Sequence, residues 1–303
     1  MKNFVTSGKK GDLIMSLYIV KSMGGGNLFI TQGEFEESLE SVIESCGKLI
    51  TSQDYVNSFQ IHSDEPIDVN LDACRKSRDL FRITLLEIMC RAHQIQKPQK
   101  VGPWISVPGN DNFDSKVVLH RRSMHHVVGN DRANPLFDWD KLLDVFGAEN
   151  CVFVSRIESE WLEFEHPEIE YYCPADNYEH AAIIKGSKFY IGNQSFPSAL
   201  ADALGVNRIF ELATNFDRKH FAINYADNAW YYANPWDATI KNFRYLKNKN
   251  NAGYIDLVTD EFYTGKLEKY RANWKKVLIQ EINFQWAFRK LMFKQFGKAM
   301  LGL

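Results

Sequence analysis

The sequence lacks the features that mark specialised classes of protein. None of its apolar runs reaches the ~20 residues that a bilayer-spanning helix needs, and the Met1 end has no signal-peptide core. Its five cysteines are scattered and form no C-x-x-C pair, which argues against a disulfide framework and a cysteine-based zinc site. These absences predict a cytoplasmic protein with reduced thiols and no integral membrane span.

Net charge is also small, because 36 Lys and Arg face 38 Asp and Glu. The segment 266–303 departs from this balance, with nine basic residues against two acidic ones. We expect it to form two amphipathic helices. They would either pack back on the acidic body of the protein or face a polyanion or an anionic membrane surface.

What is present is an ordinary globular composition over 303 residues, with 45% apolar and 24% charged residues. This length favours two medium domains or one large one. The pattern predicts strands at 4–6, 28–30 and 56–61, a long helix at 71–94 and a brief strand at 104–107.

A second alternating series of strands and helices runs from 116 to 211. Alternation of this kind implies parallel sheets covered by helices, with ligands beyond the carboxyl ends of the strands. Two such units in series imply a cleft between them.

The first polar motif is Gly8-Lys9-Lys10-Gly11-Asp12, between the first predicted strand and the first predicted helix. Glycine permits a tight bend, and a helix N-terminus favours anions. Asp12 fits either a capping role at the helix start or a general-base role in the cleft. The sequence leaves both roles open.

The second motif, His120-Arg121-Arg122-Ser123, follows the first strand of the second series. Guanidinium groups bind phosphate oxygens bidentately, so this motif predicts a phosphate or pyrophosphate site, with a solvated basic loop as the alternative. Two more histidines follow, but no carboxylate or third histidine lies at ligand spacing from them. No metal site is predicted.

The third motif, Asn193-Gln194-Ser195, joins a strand to a helix rich in small residues. Backbone N–H groups at such a helix start point towards an anion, and Pro197 fits the first turn. The motif therefore predicts a second phosphate-binding turn. No G-x-G-x-x-G follows any predicted strand, and no acidic residue stands at the expected later position, which makes a dinucleotide oxidoreductase a poor fit.

A polar run of Asp68, Asn70, Asp72 and Arg75 stands at the start of the helix expected over 71–94. Short polar side chains at such a position accept hydrogen bonds from first-turn N–H groups. We therefore expect capping here in preference to acceptor binding.

Together, the Gly-Asp turn, the strand ending in basic residues and the Ile-Gly-Asn-Gln-Ser…Ala-Leu-Ala-Asp-Ala-Leu-Gly segment resemble the GT-B glycosyltransferases, in particular the heptosyltransferase-like glycosyltransferase family 9. The resemblance covers about residues 1–30 and 115–215. It implies an α/β fold of two Rossmann-like domains facing across a cleft. The implied parts are an acceptor-side domain at 1–113, a nucleotide-sugar-binding domain at 114–265, and C-terminal helices at 266–303 that cross back to the first domain.

The resemblance also implies roles for individual residues. Asp12 is the base that activates the acceptor hydroxyl, beside the acceptor-side residues Lys9, Lys10 and Gly11. The donor nucleotide sugar is held by residues that follow strands of the second domain, namely Arg121, Arg122, Ser123, Glu158, Asn193, Gln194 and Ser195. The implied reaction is a metal-independent, inverting sugar transfer with no cofactor besides the nucleotide-sugar co-substrate.

The chain departs from the family pattern at its third motif. The family usually has Asp-Thr/Ser-Gly followed by a histidine on this late helix, whereas this chain has Asn193-Gln194-Ser195 followed by Phe196. This chain therefore lacks the acidic and histidine side chains that the family pattern has at this turn. The difference leaves open the identity of the donor, or the way in which it is held.

The acceptor is open between two classes. One is an envelope saccharide or lipid-linked glycan, with the C-terminal helices in peripheral contact with the membrane. The other is a hydroxymethylated base in phage-type DNA. DNA would be contacted by basic and aromatic residues of those helices: Trp274, Lys275, Lys276, Trp286, Phe288, Arg289, Lys290, Lys294 and Lys298.

Two other functions fit the same fold. A non-catalytic nucleotide- or nucleotide-sugar-binding protein would keep ligand binding and biological activity when Asp12 is replaced. A nucleotide-sugar epimerase would turn over the donor with no acceptor present.

Overall fold

A computed structural model of the chain describes most of the first 212 residues and little beyond them. The described residues are 1–77, 83–96, 101–122, 124–125, 130–131, 134, 137, 139–212, 228–232 and 282. Ser123 and, apart from Ile282, the helices predicted at 266–303 therefore lie outside the described residues. The domain bounds 1–113 and 114–265 remain predictions.

The first sheet is parallel, with strand order β3-β2-β1-β4. Its strands are β1 (Lys2–Thr6), β2 (Gly26–Ile30), β3 (Val56–Ile61) and β4 (Val69–Asn70). The consecutive residues Leu28, Phe29 and Ile30 are all buried, as expected for a parallel strand covered on both faces. The three strands predicted in this part of the chain are confirmed.

Three α-helices and a short 3-10 helix accompany this sheet. They are α1 (Lys10–Ser22), α2 (Leu39–Thr51), the 3-10 helix (Leu71–Lys76) and α3 (Leu85–Ala92). The single helix predicted over 71–94 is wrong, because two caps start two separate helices. Asn70 Oδ1 accepts a hydrogen bond from Asp72 N at 2.9 Å, and Thr84 Oγ1 accepts one from Glu87 N at 3.2 Å. The capping role expected for this polar run is thus confirmed for Asn70.

Among the described residues, the second sheet has six parallel strands in the order β12-β11-β10-β5-β8-β9. They are β5 (Val117–His120), β8 (Cys151–Val154), β9 (Glu170–Tyr172), β10 (Phe189–Asn193), β11 (Arg208–Glu211) and β12 (Ala229–Tyr232). Counted along the chain and read from the β9 edge, this is the order 3-2-1-4-5-6 of doubly wound nucleotide-binding sheets. The alternating series predicted from 116 to 211 is confirmed.

The helices of the second half follow its strands in turn. They are α4 (Trp139–Phe146), α5 (Glu158–Leu162), α6 (Asn177–Gly186) and α7 (Phe196–Leu204). A small antiparallel pair, β6 (Met124–His125) with β7 (Asn130–Asp131), lies between β5 and α4. Helix α7 ends at Gly205, whose φ of 64° is the left-handed conformation that favours glycine at a helix C-terminus.

The helices of the two halves pack directly on each other, α1 against α7 and α2 against α6. One apolar cluster includes Leu13 and Val42 from the first half and Ile184 and Leu200 from the second, all four without exposed surface. Burial of apolar surface is the main stabilising contribution to a fold. The two halves therefore share part of one hydrophobic core.

Trp104 connects the two halves at this shared core through hydrogen bonds to α1 and α7. It is 1% exposed, its indole Nε1 donates to Ile14 O at 2.9 Å, and its backbone N–H donates to Ala203 O at 3.0 Å. The strand predicted at 104–107 is wrong, because the N–H groups of Trp104 and Ile105 donate to the end of α7 and not to a neighbouring strand.

The structure also bears on what the sequence predicted for the cysteines and for membrane spans. All five cysteines are free thiols, and four of them are buried, with Cys173 exposed. Across the part of the chain that the structure describes, no helix is both long enough and apolar enough to cross a bilayer.

Candidate active site

Polar residues gather at the carboxyl ends of the strands, at the points where strand order reverses. These points lie between β1 and β4 in the first sheet and between β5 and β10 in the second. Ligands of open α/β sheets bind in the crevice at such switch points. All three motifs found in the sequence lie at these two points, and the α1–α7 contact brings the points together.

The first switch point carries a cluster of three carboxylates around one guanidinium. Arg75 Nη2 lies 2.7 Å from Asp12 Oδ2, Nε lies 3.4 Å from Asp72 Oδ1, and Nη1 pairs with Glu34. Asp72 Oδ2 also accepts hydrogen bonds from the backbone N–H and the hydroxyl of Ser7, both at 2.7 Å. Arg75 thus joins the turn after β1 to the 3-10 helix after β4. We call Asp12, Glu34, Asp72 and Arg75 the first cluster.

Asp12 lies in the first turn of α1, and 32% of its side-chain surface is accessible. Burial raises the pKa of its carboxyl above the ordinary value, while the Arg75 guanidinium acts in the opposite direction. A Cβ at Gly8 would come within 2.7 Å of Arg75 Nη2, so a larger residue there would displace the guanidinium. A partly accessible carboxyl with a raised pKa is suited to accept a proton.

The two lysines of the first motif are paired with the loop between β2 and α2. Lys9 Nζ lies 2.5 Å from Glu36 Oε1, and Lys10 pairs with Glu37. The Lys10 ammonium also lies 5.8 Å from the ring centroid of Phe196, the first residue of α7. Their neighbour Gly11 packs against α7 as well, since a Cβ there would lie 3.9 Å from the Ala199 Cβ.

The second switch point carries a buried hydrogen-bond network around His120, which is 3% exposed at the end of β5. Its Nε2 lies 3.1 Å from Glu160 Oε2, and its Nδ1 lies 3.2 Å from Ser195 Oγ. Ser155 Oγ donates to the same Glu160 oxygen at 2.6 Å. Burial acts to raise the pKa of Glu160, but the bonds from His120 and Ser155 and the nearby Arg122 hold it below the ordinary value. We call His120, Ser155, Glu160 and Ser195 the second cluster.

The turn between β10 and α7 is tied to the loop after β5. Asn193 Oδ1 accepts from Arg122 N at 3.0 Å, and Asn193 Nδ2 donates to Arg122 O at 2.7 Å. Ser195 is the N-cap of α7, but its hydroxyl bonds to His120 and to Asn193 O and does not cap the helix. The first-turn N–H groups of α7 receive no bond from Ser195, which leaves them suited to an anion. Gln194 lies half-buried within this turn.

The two adjacent arginines have different surroundings. Arg121 Nε lies 3.2 Å from Oε2 of Glu211, a fully buried carboxylate at the end of β11 that also accepts a bond from Trp139 Nε1 at 3.1 Å. Burial raises the pKa of Glu211, and Arg121 acts against that shift. Arg122 lies 3.5 Å from carboxylate oxygens of both Glu160 and Glu36. Arg121 is therefore held within the second sheet, whereas Arg122 contacts both halves.

Four carboxylates of the site were not assigned a role from the sequence, namely Glu34, Glu36, Glu160 and Glu211. Asp72 and Arg75 were expected to cap a helix start, and they instead contact Asp12, Glu34 and Ser7. Glu158, the acidic residue predicted to hold the donor, begins α5 and is exposed. Glu160, two positions later, is the buried carboxylate that contacts His120. His120, Asp72 and Arg75 belong to polar motifs of the sequence, so the signal for them was present.

The described residues contain no group of three or more His, Cys, Asp or Glu side chains arranged to hold a metal ion. A second buried histidine, His180 on α6, lies 6.5 Å from His120 between ring centroids. Its Nε2 has no hydrogen-bond partner among the described residues. Burial lowers the pKa of His180 to about 3, so this imidazole is neutral at physiological pH.

Comparisons with known proteins bear on the fold. No protein-family model matches the chain, and no curated protein matches its sequence. The structure of the E. coli heptosyltransferase WaaC with ADP matches with a TM-score of 0.54 at 11% identity, over 78% of this chain and 94% of that one. The iron-containing dodecameric glycosyltransferase TibC from enterotoxigenic E. coli matches with a TM-score of 0.50 at 13% identity, over 89% of this chain and 76% of that one.

The similarity to these structures is accompanied by a parallel-sheet architecture in this chain. Two parallel sheets, the second in the doubly wound order, place their switch points side by side through α1 and α7. The α/β fold with two parallel sheets that the resemblance in sequence implied is confirmed. The cleft between two facing domains and the C-terminal helices that cross back remain predictions. The chain has a heptosyltransferase-like α/β fold, similar to the GT-B glycosyltransferases.

Proposed function

We propose that the chain is a glycosyltransferase that moves a sugar from a nucleotide-sugar donor to an acceptor hydroxyl. The observation that carries this proposal is the pair of polar clusters, one at the switch point of each sheet. Between the two sheets, Glu36 contacts Lys9, which precedes α1, and Arg122, which follows β5. The first cluster serves the acceptor and the second cluster serves the donor, across a cleft between two Rossmann-like domains. A similar fold in a heptosyltransferase determined with ADP makes ADP-linked sugars the first donors to test.

On the donor side, the diphosphate binds at the N-terminus of α7. The first-turn N–H groups of that helix and the Arg122 guanidinium supply the positive charge. Asn193 and Ser195 hold the turn in place through their bonds to Arg122 and His120. The remaining proposed donor-side residues are Arg121, Ser123, Glu158 and Gln194.

In the transfer step, the acceptor oxygen attacks the anomeric carbon of the donor sugar while Asp12 takes the hydroxyl proton. A new bond forms between that oxygen and the anomeric carbon, and the bond from the carbon to the diphosphate breaks. Arg122 and the N–H groups of α7 stabilise the charge on the departing diphosphate, a role that these protein groups fill without a metal ion. Attack from the face opposite the diphosphate inverts the anomeric configuration.

The proposed acceptor is a saccharide or lipid-linked glycan of the cell envelope, reached from the cytoplasmic side. Lys9, Lys10 and Gly11 lie beside Asp12 at the first switch point, where this acceptor would enter. A hydroxymethylated DNA base is the second candidate. Binding of DNA would use the basic segment 266–303, and so would peripheral contact with a membrane.

The test is a transfer assay with the full chain, a panel of ADP-, UDP-, GDP-, CMP- and TDP-linked sugars, and EDTA present. Oligosaccharide and hydroxymethylated DNA serve as acceptors, and NMR gives the anomeric configuration of the product. We expect one donor to be consumed with inversion, and Asp12→Asn to keep donor binding while losing transfer. Transfer that survives Asp12→Asn would refute the proposed base.

The same assay separates the alternatives. Conversion of a nucleotide sugar with no acceptor present would identify an epimerase. Donor binding without turnover under any condition, unchanged by Asp12→Asn, would identify a binding protein.

A further inference from the structure

One carboxylate joins the two halves of the site. Glu36 Oε1 lies 2.5 Å from Lys9 Nζ, and its Oε2 lies 3.5 Å from Arg122 Nη2. Lys9 is the N-cap of α1 in the first half, and Arg122 follows β5 in the second half. Two cations from different sheets therefore converge on a single anionic group.

Glu36 is anionic and replaceable. The hydrogen bond from Lys9, with the charge of Arg122 beside it, holds the pKa of its carboxyl below the ordinary value. Its side chain is 54% exposed, and ion pairs this exposed contribute little to folding stability. An incoming anion with more charge can therefore take its place at a small cost in stability.

The loop that carries Glu36 is positioned for this exchange. Phe35 is buried in the shared core and anchors the loop. The next residue after Glu36, Glu37, pairs with Lys10, whose ammonium lies beside the first residue of α7. Two consecutive carboxylates thus neutralise the cations around the helix N-terminus that the proposed function assigns to the diphosphate.

We propose that Lys9 and Arg122 form one phosphate-binding subsite that spans the two sheets, and that Glu36 is its internal occupant. A phosphate group displaces Glu36 and then bridges the same two cations. This inference rests on the proposed function in one respect, namely that the phosphate belongs to the nucleotide sugar. It gives Lys9 a donor-binding role in place of the acceptor-side role implied by the resemblance.

The experiment is calorimetric titration of the full chain with inorganic pyrophosphate and with ADP. Glu36→Gln removes the competing charge and should tighten pyrophosphate binding by about three- to tenfold. Glu44→Gln is the matched control, because it removes the same charge from an exposed position on α2 and should bind as wild type does. Thermal unfolding of each variant confirms that the fold is retained.

Lys9→Gln completes a double-mutant cycle. It should weaken pyrophosphate binding, and the gain from Glu36→Gln should shrink in its presence, because the two residues act on one subsite. Pyrophosphate affinity in Glu36→Gln no tighter than in Glu44→Gln would overturn the subsite, as would Lys9→Gln binding as wild type does or no pyrophosphate binding at all.

The two proposals fail separately. If Glu36→Gln tightens pyrophosphate binding and no nucleotide sugar is turned over, the subsite stands and the glycosyltransferase proposal fails. If sugar transfer is observed and Glu36→Gln leaves affinity unchanged, the reverse holds.

Discussion

The two polar clusters, one at the switch point of each sheet, are built differently. In the first cluster one guanidinium is shared by three carboxylates, and every member keeps between 21% and 54% of its side-chain surface accessible. In the second cluster His120 and Glu160 are almost completely buried and bonded to each other. A buried polar network with its bonds satisfied is rigid, whereas partly accessible carboxylates can be reached by solvent and by a bound molecule. The difference supports the proposed roles, namely proton transfer at the first cluster and donor binding at the second.

The largest expected effect lies in the first cluster. Asp12→Asn should lower kcat for sugar transfer by about 10²- to 10⁴-fold, because it removes the proposed general base, and should leave donor KM nearly unchanged. Steady-state kinetics over a range of donor concentrations makes the measurement. Asp54→Asn, an exposed carboxylate at the surface, is the control and should keep wild-type kcat. Equal kcat values for the two variants would remove the distinction between the clusters.

In the second cluster we expect binding and stability to change together. Glu160→Gln removes the carboxylate that His120 contacts and one of the two that Arg122 contacts. It should cost about 1–3 kcal/mol of unfolding free energy and raise donor KM by about tenfold. Urea unfolding and donor kinetics measure the two quantities. Glu158→Gln on the same helix is the control for stability, because that residue is exposed. A rise in donor KM for Glu158→Gln alone would return the donor role to Glu158.

The buried histidine beside the second cluster, His180, predicts a pH dependence of stability. His180 has a folded-state pKa of about 3 against an ordinary value of 6.5, lowered by burial and then by His120. Between these two pH values the unfolded chain binds the proton and the folded chain does not, so stability falls as pH decreases. The slope from this residue is at most about 1.4 kcal/mol per pH unit. His180→Gln should flatten the stability curve between pH 3 and 6.5, and an unchanged slope would contradict this.

The smallest expected effect is on the pH profile of transfer. Arg75 lowers the pKa of Asp12, so Arg75→Gln should move the acidic limb of the kcat profile to higher pH. The base must be deprotonated, and activity is lost as pH falls through its pKa. Arg91→Gln, an exposed residue of α3, should leave the limb in place. A shift to lower pH in Arg75→Gln would show that Asp12 is not the group that titrates.

The sequence predicted the alternating elements and the three motifs because both are local. The short strands carry apolar runs, and the turns after β1, β5 and β10 carry the glycine, basic and small polar residues that such turns need. The break between the 3-10 helix and α3 was also readable, since Thr84 followed three positions later by Glu87 is a capping pattern. The prediction followed apolar periodicity over that capping signal, and it therefore joined the two helices into one.

The partners inside each cluster were not predictable in the same way. Arg75 reaches Asp12 across 63 positions of sequence, through a β4 strand of only two residues. Glu160 and Glu158 differ by the phase of a five-residue helix, too short for periodicity to show which of them is buried. Such contacts depend on how strands and helices assemble, which the sequence pattern alone does not specify.

The most direct test of the central claim is titration of the full chain with ADP, UDP, GDP and CDP in the presence of EDTA. We expect saturable binding of one nucleotide to the wild type and to Arg91→Gln. Binding should be at least about tenfold weaker in Arg122→Gln, where a charge-assisted phosphate contact is lost. Equal affinity in all three proteins, or no binding to any of them, would contradict a donor diphosphate site at the second switch point.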